Sequence, residues 1–205
     1  MTDFARLVII CLWKVQVSDS PQRTDKDLKK KMVDKYIHSG IIEVAVANLL
    51  GYRVQTIVPN VSWGLGLSHE CDMLALDKNG RFTEIEIKIS ASDLKADFTK
   101  RHGHRSKIIS KLIYAMPGWM CEKYEHLIPE NCGIISVFRI ESINGREFIH
   151  PTYRAEHWRI VRHDKTKGVP DEKIIRKFME LGCMRIWSLK QANNIKRIRK
   201  PILNP

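Results

Sequence analysis

The stretch from His69 to Ile89 constrains the fold more than any other part of the chain. Two apolar-rich runs, 69–77 and 81–89, flank the pair Asn79-Gly80, which is a strong signal for a hairpin turn. Isoleucines alternate with charged residues in the second run: Ile85, Ile87 and Ile89 with Glu84, Glu86 and Lys88. This period of two predicts a strand with one apolar face and one face that carries two acids and a base.

An acid in the first run complements this charged face. The hairpin would bring Asp72 near Glu86 on the neighbouring strand, with Lys88 two residues further on. Two carboxylates placed in this way can hold a hard divalent cation, which prefers oxygen ligands, beside a basic group. The arrangement favours phosphodiester hydrolysis. A solvent-facing strand, in which Glu and Lys serve only solubility, would show the same alternation, and the spacing alone does not separate the two interpretations.

The charge of the chain indicates a polyanionic partner. Lys and Arg outnumber Asp and Glu by 35 to 23, a formal net charge of +12. From Arg139 to Pro205 there are 16 Lys and Arg against 7 Asp and Glu, so most of the excess lies in the last third. Nucleic acid and an acidic membrane surface are the partners that such an excess favours. A basic protein without such a partner is the alternative.

The length and the cysteines favour a cytoplasmic globular protein. The 205 residues are enough for one domain with a buried core and an appendage. Five cysteines, at 11, 71, 121, 132 and 183, include no Cys-x-x-Cys pair, so we expect reduced thiols. The apolar run 4–17 is too short to span a bilayer and lacks the features of a secretory signal, so we predict no membrane association.

Glu43 stands out in a predicted helix over 41–50, which Gly51 would end. A carboxylate among Ile42, Val44 and Val46 is costly to bury unless a cation or hydrogen bonds meet it. Glu43 therefore lies either at the solvent edge of this helix or at the same metal site as Asp72 and Glu86.

The remaining elements follow from periodicity and from breaking residues. We predict a helical pattern from Asp25, strands at 52–58, 111–116 and 133–140, and a helix that Ser90 or Ser92 caps. A helix at 119–127, a hairpin turn at Asn144-Gly145 and strand character at 158–161 follow. A last helix opens at 170–172 and ends at Gly182, and Asn193-Asn194 argue against a long regular helix in the basic segment 188–200.

A dense basic segment follows the acidic cluster. Lys100, Arg101, Arg105 and Lys107 are its cations, and they suit the phosphate backbone of a nucleic acid. His102 and His104 in the same segment are weak evidence for a transition-metal site, because the sequence offers them no further ligand at a recognisable spacing.

An ordered series of motifs resembles the PD-(D/E)XK nuclease superfamily, and most closely the MmcB-type DNA-repair nucleases and related small prokaryotic or phage proteins. The likeness covers about Glu43 to Val137. Its motifs are Asp72-Met73-Leu74-Ala75-Leu76-Asp77, Glu86-Ile87-Lys88-Ile89-Ser90, Asp93-Leu94-Lys95-Ala96-Asp97, Ile113-Tyr114-Ala115-Met116-Pro117 and Ile128-Pro129-Glu130-Asn131-Cys132-Gly133. Cys71 stands where the name of the motif has proline.

The resemblance implies an α/β fold with a restriction-endonuclease-like core, a mixed central sheet flanked by helices. In order, this core is a helix, three antiparallel strands, a crossover helix and a strand that pairs in parallel. We expect residues 1–24 to form an N-terminal segment and linker, 25–140 the nuclease-like core, and 141–205 a basic C-terminal extension.

The resemblance also implies roles for single residues. Asp72 and Glu86, with the Ile87 carbonyl, would bind Mg²⁺ or Mn²⁺, Lys88 would be the motif lysine, and Glu43 the helical acid. Lys100, Arg101, Arg105 and Lys107 would contact nucleic acid. The implied function is a metal-dependent nuclease that hydrolyses phosphodiester bonds in DNA during repair or recombination.

Two other classes of function stay open. A catalytically inactive nucleic-acid-binding protein would keep the fold and its basic residues, with the acids serving as structural partners of Lys and Arg. A membrane-surface protein would use the basic tail and the apolar start.

Overall fold

The computed structural model describes residues 37–62, 64–100, 104, 106–143 and 146–199, with the backbone alone at 141–151 and 194–199. All of them belong to one compact unit, Met32–Pro205. The segment 1–24, the helical pattern from Asp25 up to residue 36, Arg101, His102, Arg105 and the turn Asn144-Gly145 lie outside the described residues.

In these ranges one mixed sheet of six strands follows the order of the chain. The strands are β1 (Thr56–Val61), β2 (Cys71–Leu76), β3 (Phe82–Ile87), β4 (Ile109–Pro117), β5 (Gly133–Ile143) and β6 (Arg146–Arg159). Strand β2 pairs antiparallel with β1 and with β3, β4 pairs parallel with β3 and with β5, and β6 returns antiparallel to β5. The expectation of an α/β fold with a mixed sheet is confirmed.

The described helices are α1 (Ser39–Leu50), α2 (Ala91–Asp97), α3 (Gly118–Tyr124) and α4 (Glu172–Arg199), with a short 3₁₀ turn at Glu125–Leu127. Helix α1 ends at Gly51, which is left-handed with φ of 79° and donates its N–H to Ala47, as predicted. The Ser90 hydroxyl accepts the N–H of Asp93 at 3.2 Å, which confirms the predicted cap of α2.

The predicted hairpin joins β2 to β3. Gly80 has a φ of 71°, a conformation that favours glycine, and donates its N–H to the Asp77 carbonyl. The Asp77 carboxylate accepts the N–H of Asn79 at 2.8 Å and that of Arg81 at 2.9 Å. These bonds fix the register in which Met73 pairs with Ile85.

Helices cover both faces of the sheet. On one face Ile42 and Val46 of α1 pack against a core that includes Ile85, Ile87 and Ile113. The opposite face carries two apolar clusters. Phe178 and Leu181 of α4 pack in the first, with Val58, Leu74 and Phe82 of the sheet. Leu94 of α2 and Met120 of α3 pack in the second, with Tyr114, Met116 and Ile134.

The C-terminal part differs from the sequence-based expectation. The predicted end at Gly182 is wrong, because α4 continues through it and through Asn193-Asn194 to Arg199. A Cβ at Gly182 would lie 3.1 Å from Val58 Cγ2, so the glycine allows α4 to approach β1 closely. The expected boundary at residue 140 falls within β5, and β6 and α4 join the same sheet and core.

None of the helices in the described ranges has both the length and the apolarity needed to cross a bilayer.

Candidate functional site

The charged residues of β3 lie inside the protein. Glu84 is fully buried, and Glu86 and Lys88 are each 2% exposed. The interpretation of this strand as a solvent-facing surface is therefore wrong. Burying such groups costs several kcal/mol for each ion unless partners compensate for the lost hydration. The partners of these buried groups must therefore compensate for the free energy that burial costs.

The register of the sheet sets the position of these acids. Glu84 pairs with Leu74 of β2 and Leu112 of β4, and Glu86 pairs with Tyr114 of β4. Because side chains alternate along a strand, both acids share the face of Phe82, opposite the core under α1. They lie in a polar cluster between the two apolar clusters of that face.

Asp72, Glu86 and Lys88 come together at the end of β3. The Lys88 ammonium donates to Glu86 Oε2 at 2.9 Å, and Asp72 Oδ2 accepts the N–H of Ile87 at 2.7 Å. Burial raises the pKa of Glu86 to about 7; Lys88 opposes this shift, and the negative charges of Asp72 and Glu84 add to it. Burial, with the two neighbouring acids, thus makes Glu86 an acid whose pKa lies near neutral pH.

Glu43 reaches the same region from α1. Partial burial raises its pKa, and the nearby charge of Asp72 raises it further, while His38 lowers it. Glu43 is half-buried on α1. The four predicted site residues thus lie around one end of β2 and β3.

Asp97, at the end of α2, connects this region to the rest of the cluster. Its Oδ1 accepts from Lys88 Nζ at 2.9 Å and lies 2.6 Å from Lys100 Nζ. Its Oδ2 accepts from His104 Nε2 at 2.7 Å and from the Tyr114 hydroxyl at 3.1 Å. Burial opposes ionisation of Asp97, but these donors prevail and lower its pKa strongly.

A second group of side chains surrounds Glu84. Its Oε1 lies 2.6 Å from His69 Nε2 and 2.8 Å from His104 Nδ1, and the two rings meet edge to face with centroids 5.0 Å apart. Burial disfavours the charge of Glu84, yet the bonds from His104 and His69 lower its pKa. Desolvation acts against the charge of His104, but Asp97 and Glu84 raise its pKa to about 9.

The cluster could hold a metal ion. Ligand atoms of His69, Cys71 and Glu84 lie within 4.8 Å of one another, as do those of Glu84, Glu86 and His104. Glu84 Oε2 and Glu86 Oε1 are buried without a hydrogen-bond partner among the described residues. A buried carboxylate oxygen left without a donor is costly, and a cation would supply the missing interaction.

A cleft of about 680 Å³ leads to the cluster from outside. Asp97 and His104 line it, and so do the basic residues Lys111, Arg162 and Lys167. The cleft gives a small charged ligand a route to His104.

The predicted nucleic-acid-binding residues differ in their exposure and contacts. Lys107 is exposed, whereas Lys100 lies against Asp97 at the edge of the cluster. Arg101 and Arg105 are outside the described residues. Their role stays a prediction.

Sequence reasoning did not identify His69, Glu84 or Asp97 as site residues. Glu84 carried a usable signal, since it shares its strand face with Glu86 at a spacing of two. Asp97 stands in one motif of the resemblance, which implied no role for it, and His69 carried no signal, because a loop brings it to the cluster.

Comparison with known proteins gives the fold and no activity. No protein-family model and no curated protein matches the chain. Among solved structures, the SPO1766 protein of unknown function from Silicibacter pomeroyi is similar, with a TM-score of 0.53 and 20% identity over 80% of this chain and 94% of that one. At this identity the chain shares with that protein an α/β architecture.

Proposed function

We propose that this protein is a metal-dependent nuclease that hydrolyses phosphodiester bonds in DNA, with a core of the PD-(D/E)XK type. One observation carries the proposal. The pair Glu86–Lys88 is buried at the end of β3, the charge of Asp72 on β2 acts on Glu86, and it acts also on Glu43 of α1. Solubility cannot explain acids and a lysine that the protein buries.

The order of elements supports this proposal. Helix α1 precedes the antiparallel strands β1, β2 and β3, α2 crosses over, and β4 then pairs in parallel with β3. A restriction-endonuclease-like core has this order, and it puts the motif acids of β2 and β3 on neighbouring strands.

The residues fit a hard divalent cation. Asp72 and Glu86 offer carboxylate oxygens, and Glu86 Oε1 is buried without a partner among the described residues. Asp72, Glu86 and the Ile87 carbonyl would hold Mg²⁺ or Mn²⁺. When bound, such an ion supplies charge that polarises a phosphate and acidifies a coordinated water.

Lys88 would act on the phosphate or on the attacking water. Glu86 and Asp97 hold its ammonium group and raise its pKa, so the lysine keeps its positive charge at neutral pH. A fixed cation of this kind stabilises the negative charge that develops during phosphoryl transfer. Glu43 would support the metal site from α1 through its proximity to Asp72.

The positive charge of the protein would bind the DNA backbone. The exposed Lys107 and the cleft residues Lys111 and Arg162 lie on the described surface. Helix α4 adds eight Lys and Arg against two Glu. Contacts of this type give affinity without base recognition.

A non-catalytic DNA-binding protein is the second candidate, and one observation favours it. Lys88 is bonded to Glu86 and Asp97 at once, so the acids already serve as partners of a buried lysine. In that case the cluster would stabilise the fold and perform no chemistry.

Asp72→Asn separates the two candidates. The amide keeps an oxygen that can accept the Ile87 N–H but removes the negative charge, so we expect cleavage to fall by at least about 100-fold with binding retained. Cleavage of single-stranded, nicked and branched DNA should be measured with Mg²⁺, with Mn²⁺ and with chelator.

The matched control is Asp93→Asn, an exposed acid of α2 that should leave cleavage unchanged. Lys88→Met should lower cleavage by about 10²–10³-fold. DNA binding without cleavage by the wild-type protein would support the second candidate. Cleavage that persists in chelator, or in Asp72→Asn, would refute the metal-dependent mechanism.

A further inference from the structure

We propose that the group around Glu84 is a second metal site, one that takes a transition-metal ion such as Zn²⁺. Its ligands are His69 Nε2, the Glu84 carboxylate and His104 Nδ1, with the Cys71 thiol as the fourth. The site is separate from the carboxylates at Asp72, and the proposal does not rest on nuclease activity.

Ligand atoms of His69, Cys71 and Glu84 lie within 4.8 Å of one another, and His104 shares Glu84 with them but forms a separate group with Glu84 and Glu86. Glu84 Oε1 lies 2.6 Å from His69 Nε2 and 2.8 Å from His104 Nδ1, and Cys71 Sγ lies 3.8 Å from His69 Nε2. In a tetrahedral zinc site, ligand atoms are about 3.3 Å apart for nitrogen and oxygen and about 3.6 Å apart for nitrogen and sulfur. Shifts of less than about 1 Å would bring these three contacts to such values, and the His104 ring would have to move closer to His69 and Cys71 to bind the same ion.

The type of ligand selects the ion. Two imidazoles and a thiol favour zinc, cobalt, nickel or copper over magnesium, which prefers oxygen. This distinguishes the group from Asp72 and Glu43, which offer carboxylates alone.

A further carboxylate orients one of the two histidines. Asp97 Oδ2 accepts from His104 Nε2 at 2.7 Å, which leaves Nδ1 directed at Glu84. Metal-binding histidines usually donate their other N–H to a carboxylate in this way. Asp97 is itself fixed by Lys88 and Tyr114, so the orientation of the ring is set before an ion arrives.

An independent observation points to a ligand. Glu84 is fully buried, and its Oε2 has no hydrogen-bond partner among the described residues. A structural network without a metal would leave this oxygen uncompensated. The histidines lie at Oε1, so an ion bound through both oxygens of the carboxylate would satisfy Oε2 as well, and the cleft beside His104 gives the ion a path.

The site would fix residue 104 to the sheet. His69 precedes β2, Glu84 lies on β3 and His104 precedes β4, so one ion would join three segments at the base of the basic segment. Its role would therefore be structural, and the chemistry at Asp72 does not depend on it.

Cobalt provides a test on the unmodified protein. Co²⁺ added to the metal-free wild-type protein should give the intense visible bands of a tetrahedral site, with a near-ultraviolet thiolate band from Cys71. Asp72→Asn should give the same spectrum. Only the weak spectrum of octahedral cobalt, or loss of the tetrahedral bands in Asp72→Asn, would overturn the proposal.

Zinc stoichiometry gives a second, independent test. After exposure to Zn²⁺ and dialysis, wild-type protein and Asp72→Asn should each retain one zinc, while Glu84→Gln and His104→Asn should lose at least about 100-fold in affinity. The exposed His126→Asn is the matched control and should retain its zinc. Circular dichroism of each metal-free variant establishes that it is folded. Equal zinc affinity in wild type and in both folded ligand variants would refute the site.

Discussion

Asp97 connects the charges that this protein buries. Four donors, on Lys88, Lys100, His104 and Tyr114, converge on its two oxygens, and the side chain has no exposed surface. A carboxylate with this many donors stays ionised, so Asp97 compensates for the positive charges of Lys88 and His104 together. It links the candidate magnesium site to the histidine group without belonging to the predicted motif acids.

The pH dependence of stability should report the pairing of His104. Asp97 and Glu84 raise its pKa from 6.5 to about 9, so its contribution is complete below pH 6.5 and is lost as the pH rises to 9. For metal-free protein we expect a loss of about 1–3 kcal/mol of unfolding free energy over this window. Urea denaturation in chelator at several pH values measures it.

His104→Asn should remove most of this dependence, and His126→Asn should retain it. Glu86 affects stability at lower pH. Burial raises its pKa from 4.5 to about 7, so the free energy of unfolding falls as the pH rises from 4.5 to 7. The same slope between pH 6.5 and 9 in wild type and in His104→Asn would contradict the assignment.

At the scale of single residues, the sequence predicted the motif acids better than their partners. Asp72, Glu86 and Lys88 stand at fixed spacings in the two runs of one hairpin. The alternation with period two and the turn signal were therefore sufficient to predict that they lie close together. His69 and Asp97 come from a loop and from a helix end, whose directions depend on packing. No local pattern contains that information.

At the scale of elements, α4 shows how a long-range contact overrides a local signal. Gly182 and Asn193-Asn194 are poor helix formers, and they led to the prediction of a short helix followed by an irregular segment. The apolar residues Phe178 and Leu181 pack on the sheet instead, and Gly182 faces Val58 at a distance that a larger side chain would obstruct. Burial of Phe178 and Leu181 outweighs the low helix propensity of Gly182, whereas the helix that leads up to Asn193 is exposed and no such contact of the described residues explains its continuation.

Phe178→Ala should therefore destabilise the whole protein. The ring is fully buried and meets Phe82 edge to face with centroids 5.0 Å apart. Loss of a buried phenylalanine costs about 3–5 kcal/mol, which is a large part of the stability of a domain. Thermal and urea denaturation would measure it.

Met179→Ala is the control, because Met179 is half exposed on the same helix and its loss should cost less than about 1 kcal/mol. If Phe178→Ala were no more destabilising than Met179→Ala, α4 would be an appendage that adds nothing to the core.

At the scale of the whole molecule, the sequence predicted the fold and the charge of the partner, but it did not predict the binding surface. The alternating strands and their breaking residues predicted strands, helices and an antiparallel hairpin, and the resemblance implied the mixed sheet. The net charge of +12 predicted a polyanionic partner but not the surface that it contacts. The cleft between Asp97 and Arg162 could not be predicted, because four separate segments form its wall.

DNA affinity should fall steeply as the salt concentration rises, and each basic side chain that contacts a phosphate should contribute a measurable part of this dependence. We expect Lys107→Gln and Arg162→Gln each to reduce the slope of log affinity against log salt by about 0.9, because each removes one phosphate contact. Binding isotherms at several salt concentrations give the slopes. Lys123→Gln, on α3 outside the cleft and the basic segment, should leave the slope unchanged. Identical slopes in all three variants would place the DNA elsewhere.

The order of strands in the sheet has a consequence for synthesis on the ribosome. Each strand from β2 to β6 pairs with the strand made immediately before it, so the sheet can grow as the chain emerges. Helix α4 is made after all six strands but covers β1, the earliest of them. In the described part of the chain, the cluster that contains Val58, Leu74 and Phe82 is thus incomplete until Phe178 and Leu181 have left the exit tunnel. A nascent chain that stalls before α4 would present this apolar surface to chaperones or to other unfinished chains.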